Sequence, residues 1–74
     1  MQQRGDFMNI DGNKVFFLTA KKCMTIGKLA KYSGVSRSTI WKIFKGKASP
    51  NTETIGKIAA ALEVTPMEIV KEEN

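Results

Sequence analysis

Apolar residues recur at three- and four-residue intervals along most of this chain, and no stretch alternates with the period of two that marks a half-buried strand. The clearest stripe is Ile55, Ile58, Ala59 and Leu62, spaced i, i+3, i+4 and i+7. Val15 and Leu18 mark an earlier amphipathic helix that Asp11 caps and that runs to about Lys22. Ile26, Leu29, Ala30 and Ser33 form the inner face of a second, short helix, capped by Thr25 and ended by Gly34. Ser36 caps a third, with Ile40, Ile43 and Phe44 on one face and Gly46 closing it. A loop follows in which Pro50 biases Ser49 away from helix, and Asn51 caps the helix of the long stripe. Thr65-Pro66-Met67-Glu68 combines a capping box with proline at the first helical position, which predicts a fifth helix to about Lys71. Asp11-Gly12 has the composition of a hairpin turn, but the residues after it do not pair in period two.

The pattern therefore predicts an all-α domain over residues 10–71, preceded by an N-terminal extension at 1–9 and followed by a tail at 72–74. Met8 is an alternative start, which would make residues 1–7 an upstream extension. A chain of 74 residues holds one small core of marginal stability, so a dimer partner is expected. An apolar content of 42% is enough to pack that core.

Composition removes several classes of function. One cysteine, Cys23, excludes an intramolecular disulfide, and with no histidine there are too few soft ligands for a zinc site. The same absence removes the usual general base, so no enzyme, cofactor or metal is expected. No stretch reaches the length of a membrane span, and MQQRGDF lacks a signal-like apolar run, so the expected place is the cytoplasm, at the nucleoid.

Charge changes the picture more than composition does. Between Gly12 and Thr52 stand nine basic residues and no acidic one: Lys14, Lys21, Lys22, Lys28, Lys31, Arg37, Lys42, Lys45 and Lys47. From Glu53 onward five glutamates face only Lys57 and Lys71. Such asymmetry fits a surface that meets a polyanion, with a solvated lysine-rich face as the alternative.

The informative stretch is Met24 to Lys47, MTIGKLAKYSGVSRSTIWKIFKGK. Two short helices are joined by a tight turn on Gly34-Val35-Ser36, with Ala30 small where the helices approach and Val35 an apolar plug. Ile40 and Ile43 lock the second helix to the core and leave Arg37, Ser38, Trp41, Lys42 and Lys45 facing outward.

Most plainly from Leu29 to Val64, and over residues from about 10 to 71, the chain resembles the lambda-repressor and Cro family of XRE-type helix-turn-helix DNA-binding proteins. The resemblance rests on the L-A-x-x-x-G-V-S core, the G-K after the third helix, the proline loop and the I-A-x-A-L-x-V helix, in that order. It implies a compact five-helix lambda-repressor-like domain that binds two-fold symmetric double-stranded DNA operators as a homodimer, with the third helix in the major groove. The expected role is a transcriptional regulator, a repressor.

Carried over by position, the base-reading residues are Ser36, Arg37, Ser38 and Lys42. Arg37 can offer a bidentate fork to guanine, Lys42 can read guanine or grip a phosphate, and the Ser38 hydroxyl suits several bases. Thr25, Lys28, Thr39, Lys45 and Lys47 match backbone contacts, Thr25 through the amides it caps. Thr39 can instead meet a thymine methyl. Capping alone is the competing role for Ser36 and Thr25, and solvation alone for Lys45 and Lys47.

Departures from the family are few. Ile26 replaces a phosphate-binding glutamine and reads as a core residue beside Leu29 and Ala30. Phe44 and Thr19 stand where relatives often place an ion pair, and apolar packing there leaves the fold intact. Cys23 replaces a helix-ending glycine and reads as a buried small residue, with a redox thiol as the alternative. Trp41 either stacks on the DNA or folds back over the second helix near Tyr32. Phe16 and Phe17 exceed what one helix face can bury, so one packs against Phe7 and Ile10 or joins an interface. Val64, Met67 and Val70 are the expected dimer contacts. The aromatic excess favours the competing class, a protein-interaction module of the same fold such as an antitoxin-like subunit or adaptor. RNA binding is a weaker third reading, because no aromatic platform for single strands is present.

Overall fold

The computed structural model describes residues 9–71, so the expectations for the N-terminal extension, Met8, Phe7 and the tail at 72–74 lie outside the described residues. Four α-helices follow one another: α1 (Gly12–Lys21), α2 (Ile26–Ser33), α3 (Arg37–Phe44) and α4 (Thr52–Leu62). Each starts where a short polar side chain accepts a hydrogen bond from the first-turn backbone. Asp11 accepts from the amides of Asn13 and Lys14 at 3.0 and 3.3 Å, Thr25 from Lys28 at 3.1 Å, Ser36 from Thr39 at 3.2 Å and Asn51 from Thr54 at 2.9 Å. Gly34 and Gly46 reverse the chain after α2 and α3 at φ 74° and 73°, the left-handed backbone that only glycine adopts without strain.

The predicted fifth helix is reduced to one 3₁₀ turn, Pro66–Glu68. Its capping box forms, with the Thr65 amide donating to Glu68 at 3.1 Å, but the chain then straightens. The Asp11 amide donates to the Ile69 carbonyl at 2.8 Å and the Lys71 amide to the Asn9 carbonyl at 2.7 Å, and Ile10 and Val70 form an antiparallel bridge. A helix of one or two turns is marginal alone, and here residues 9–11 compete for its backbone groups and win. Val70 is consequently core, 8% exposed, which corrects its expected place among the dimer contacts.

The core gathers Val15 from α1, Leu29 from α2, Ile40 and Ile43 from α3, and Ile55, Ile58, Ala59 and Leu62 from α4, closed by Ile10, Val35, Ile69 and Val70. Its two buried hydroxyls are satisfied locally. Thr19 donates to the Val15 carbonyl at 2.7 Å, while Ser33 donates to the Leu29 carbonyl at 2.6 Å and accepts from the Val35 amide at 3.2 Å. Ser33 thereby pins the turn between α2 and α3. Gly12 has no turn role. It is buried where α1 begins against the end of α3, and a Cβ there would fall on the Ile43 carbonyl oxygen.

Cys23, expected inside, is exposed. It follows α1 at φ 58°, and this left-handed residue turns its side chain to solvent as the backbone doubles back. Replacing it with glycine should remove strain at a site where no packing is lost. Cys23→Gly is expected to stabilise the fold by about 0.5–1 kcal/mol, after the entropy cost of glycine is subtracted. A denaturant midpoint equal to or below that of the parent would contradict this.

Glu63, the residue after α4, is also left-handed, at φ 61°. Its carboxylate accepts a 2.8 Å hydrogen bond from Lys22 at the end of α1. That bond, and then the lysine charge, holds the Glu63 carboxyl below its usual range. The pair is therefore formed at neutral pH and fades as pH falls through that lowered value.

Candidate nucleic-acid interface

Two constraints aim the outer face of α3. Ile40 and Ile43, both fully buried, fix the rotation of the helix about its axis. Gly34, the Val35 plug and the Ser33 bond fix its angle to α2. What remains outside is Arg37, Ser38, Trp41, Lys42 and Lys45, all exposed, as the apolar pattern requires. Thr25, Lys28 and Lys47 are exposed too. The stretch from Gly12 to Thr52 that carries this surface contains no acidic residue.

The hydroxyls at the start of α3 are linked to one another. Besides capping the helix, Ser36 Oγ donates to Thr39 Oγ1 at 3.0 Å and lies 3.3 Å from Ser38 Oγ. Ser36 is thus occupied by the cap, Thr39 is half-buried, and Ser38 remains the most available of the three. Lys47 is anchored through its backbone, its amide donating to the Lys42 carbonyl at 2.8 Å as the chain leaves α3.

Arg37 crosses from α3 to the first turn of α2. A Cβ built on Gly27 would stand 2.6 Å from Arg37 Nη2, so the guanidinium rests on that bare backbone. The side chains expected to touch bases and those expected to touch phosphates therefore meet at one edge, where Arg37 adjoins the turn that Thr25 caps.

Within the protein Trp41 packs beside Phe44 and Lys45 rather than Tyr32, and half of it remains exposed. Its ring meets Phe44 edge-on at 6.1 Å, Phe44 meets Phe16 of α1 at 5.5 Å, and Lys45 Nζ lies 5.9 Å from the indole centroid. Phe16, Ala20, Met24, Ile26, Trp41 and Phe44 line an apolar cleft of about 130 Å³ between α1, α2 and α3. Ile26 belongs to this cleft as much as to the core, and Phe44 meets the rings of Phe16 and Trp41 there. Phe16 and Phe17 pair with each other at 5.7 Å and are both exposed. Trp41 and Phe44 stand three apart on α3, but the step from Phe44 to Phe16 of α1 and the Gly27 seat join different helices and leave no periodic mark in the sequence.

Among the described residues no helix is long and apolar enough to cross a membrane.

Comparison with known proteins agrees with this geometry. Residues 21–69 match the helix-turn-helix family HTH_3. An HTH-type transcriptional regulatory protein of Methanococcus vannielii is 40% identical over 60 residues, covering 81% of this chain and 18% of that protein. The HTH-type transcriptional regulator RghRB of Bacillus subtilis is 43% identical over 54 residues, covering 72% of this chain and 39% of its own. The chain thus spans less than half the length of these relatives. Among solved structures, the restriction-modification controller protein C.AhdI of Aeromonas hydrophila superposes with a TM-score of 0.74 at 30% identity, over 77% of this chain and 86% of that one. An HTH_3 family transcriptional regulator of Vibrio cholerae gives a TM-score of 0.72 at 28% identity, over 76% and 32% of the two chains. With the turn, the capped helices α2 to α4 and the outward basic face of α3 in the matched span, the chain belongs to the helix-turn-helix family HTH_3.

Proposed function

We propose that this chain is a sequence-specific repressor that lays α3 in the major groove of double-stranded DNA and binds a two-fold symmetric operator as a homodimer. The observation that supports it best is the exposure of Arg37, Ser38 and Lys42 along α3, with Arg37 lying against the capped first turn of α2, in a stretch without acidic residues. On this reading Arg37 and Lys42 read base edges, with Ser38 and the partly engaged Ser36 beside them. Thr25, Lys28, Thr39, Lys45 and Lys47 hold phosphates. Val64, half-buried, and Met67, exposed, are the remaining candidates for the dimer contact.

Selection of bound duplexes from a random pool supplies the operator, and mobility shifts across salt then test the reading. If each subunit of a dimer meets three to five phosphates through its basic side chains, affinity should fall roughly 10³- to 10⁵-fold between 50 and 200 mM salt. Arg37→Ala should cost about 1–3 kcal/mol on the selected duplex and relax discrimination at one base pair, whereas Lys47→Ala should weaken all sequences alike. Failure to enrich or shift any duplex at low salt would overturn the proposal. That outcome favours the second reading, a protein-interaction module, which the exposed Phe16, Phe17 and Trp41 support.

A further inference from the structure

We infer that Gly27 is a positioning residue for Arg37: its missing side chain makes the seat on which the guanidinium rests, and so sets where the fork meets DNA. The inference rests on the reading of Arg37 as a base reader and adds a residue to that site. A Cβ at position 27 would lie 2.6 Å from Nη2, 3.3 Å from Cζ and 3.5 Å from Nε. Three atoms of one planar group thus lie within contact of a single backbone position. The first of these distances is far shorter than any real contact, so no residue other than glycine leaves Arg37 where it is.

Charge within the protein does not explain this placement. Among the described residues Arg37 has no acidic partner within salt-bridge distance. It also occupies the first position of α3, where the helix dipole disfavours a cation. Packing on α2 holds the group instead, and among the described residues its N–H donors have no hydrogen-bond acceptor. A long side chain ordered before binding spares part of the entropy lost on association, worth roughly 2- to 10-fold in affinity for one such group. The seat also selects direction. Held over the first turn of α2, the fork approaches DNA from the α2 side of the groove, and a displaced arginine would have to find that geometry again.

Gly27→Ala is a clean probe, because the atoms it displaces are the far end of a flexible side chain and alanine favours the helix interior. The variant should fold at least as well as the parent. Binding is measured for Gly27→Ala, Arg37→Ala and the double variant, on the duplex selected by the parent chain and on a scrambled duplex. Gly27→Ala is expected to weaken the selected duplex roughly 2- to 10-fold, to leave the scrambled one nearly unchanged and to add nothing to Arg37→Ala. The free protein gives a second readout. The chain has only two arginines, Arg4 and Arg37, so the Arg37 Nε–H signal can be assigned, and its ¹⁵N order parameter should drop in Gly27→Ala. An equal loss with and without Arg37 would overturn the inference, since glycine would then be admitting DNA directly. An unchanged order parameter would overturn it as well. Equal losses for Arg37→Ala on both duplexes would instead sink the base-reading role, while the order parameter still decides whether Gly27 seats the side chain.

Discussion

Gly12→Ala should be the most damaging single-methyl change in the fold, lowering stability by about 3 kcal/mol, the upper end of what overpacking costs. The residue opens α1 directly against the end of α3, where the added carbon would fall on the Ile43 carbonyl oxygen, 3.1 Å from the Ile43 carbonyl carbon and 3.2 Å from the Phe44 carbonyl oxygen. These are backbone atoms at the end of α3, where Ile43 is buried and Phe44 half-buried. No rotamer change can relieve the clash, so one helix must move. Alanine returns at most about 1 kcal/mol of helix propensity, which the clash outweighs. In a domain of this size the loss corresponds to a fall in melting temperature of roughly 12–24 °C. Because α3 would shift against α1, the variant should also bind the selected duplex more weakly at temperatures where it remains folded. A melting temperature within a few degrees of the parent would show that α1 does not press on α3.

The second large effect separates two neighbours on α3. Ile43 is fully buried among the helices, and Ile43→Ala should cost about 3 kcal/mol, within the 2–5 kcal/mol range for such truncations. Lys42, one residue earlier, is exposed and should change stability by less than about 0.5 kcal/mol when truncated. On DNA the order reverses. Lys42→Ala should lose affinity at full stability, while Ile43→Ala, assayed well below its melting point, should bind through an unchanged outer face. Denaturant melts and mobility shifts on the same preparations test the pair. A stable Ile43→Ala, or a Lys42→Ala that binds as the parent does, would contradict the assignment of inner and outer faces. Whether Lys42 meets a base or a phosphate follows from comparing selected with scrambled duplexes.

Much of this arrangement is legible in the amino-acid sequence. The four caps at Asp11, Thr25, Ser36 and Asn51, the glycine turns at 34 and 46, and the buried stripe of α4 are all local. Each depends on a side chain bonding its own first turn, on backbone that only glycine takes easily, or on spacing along one helix. The outward set on α3 follows from the same spacing, once Ile40 and Ile43 are assigned inward. Where the sequence misleads, it does so over distance. Thr65 to Glu68 makes the capping box its residues promise, yet the chain past Glu68 is drawn into pairing with residues 9–11, more than fifty positions away. Cys23 reads as core because its small side chain allows burial, while the turn that holds it at positive φ decides otherwise.

By itself, then, the amino-acid sequence determined the α class, the helix boundaries apart from the last, the turn between α2 and α3 and the identity of the outward face. These are consequences of hydrogen bonds and spacings within a few residues of one another. Only the tertiary structure decided that Val70 is core, that Trp41 continues a line of rings through Phe44 to Phe16, and that Gly12 and Gly27 are glycines because other helices lie against them. Apart from the Trp41–Phe44 step within α3, such contacts join positions distant in the chain, and a missing side chain acquires meaning only from the atom that occupies its place. For Gly27 that atom is Nη2 of the arginine on which the proposed readout depends.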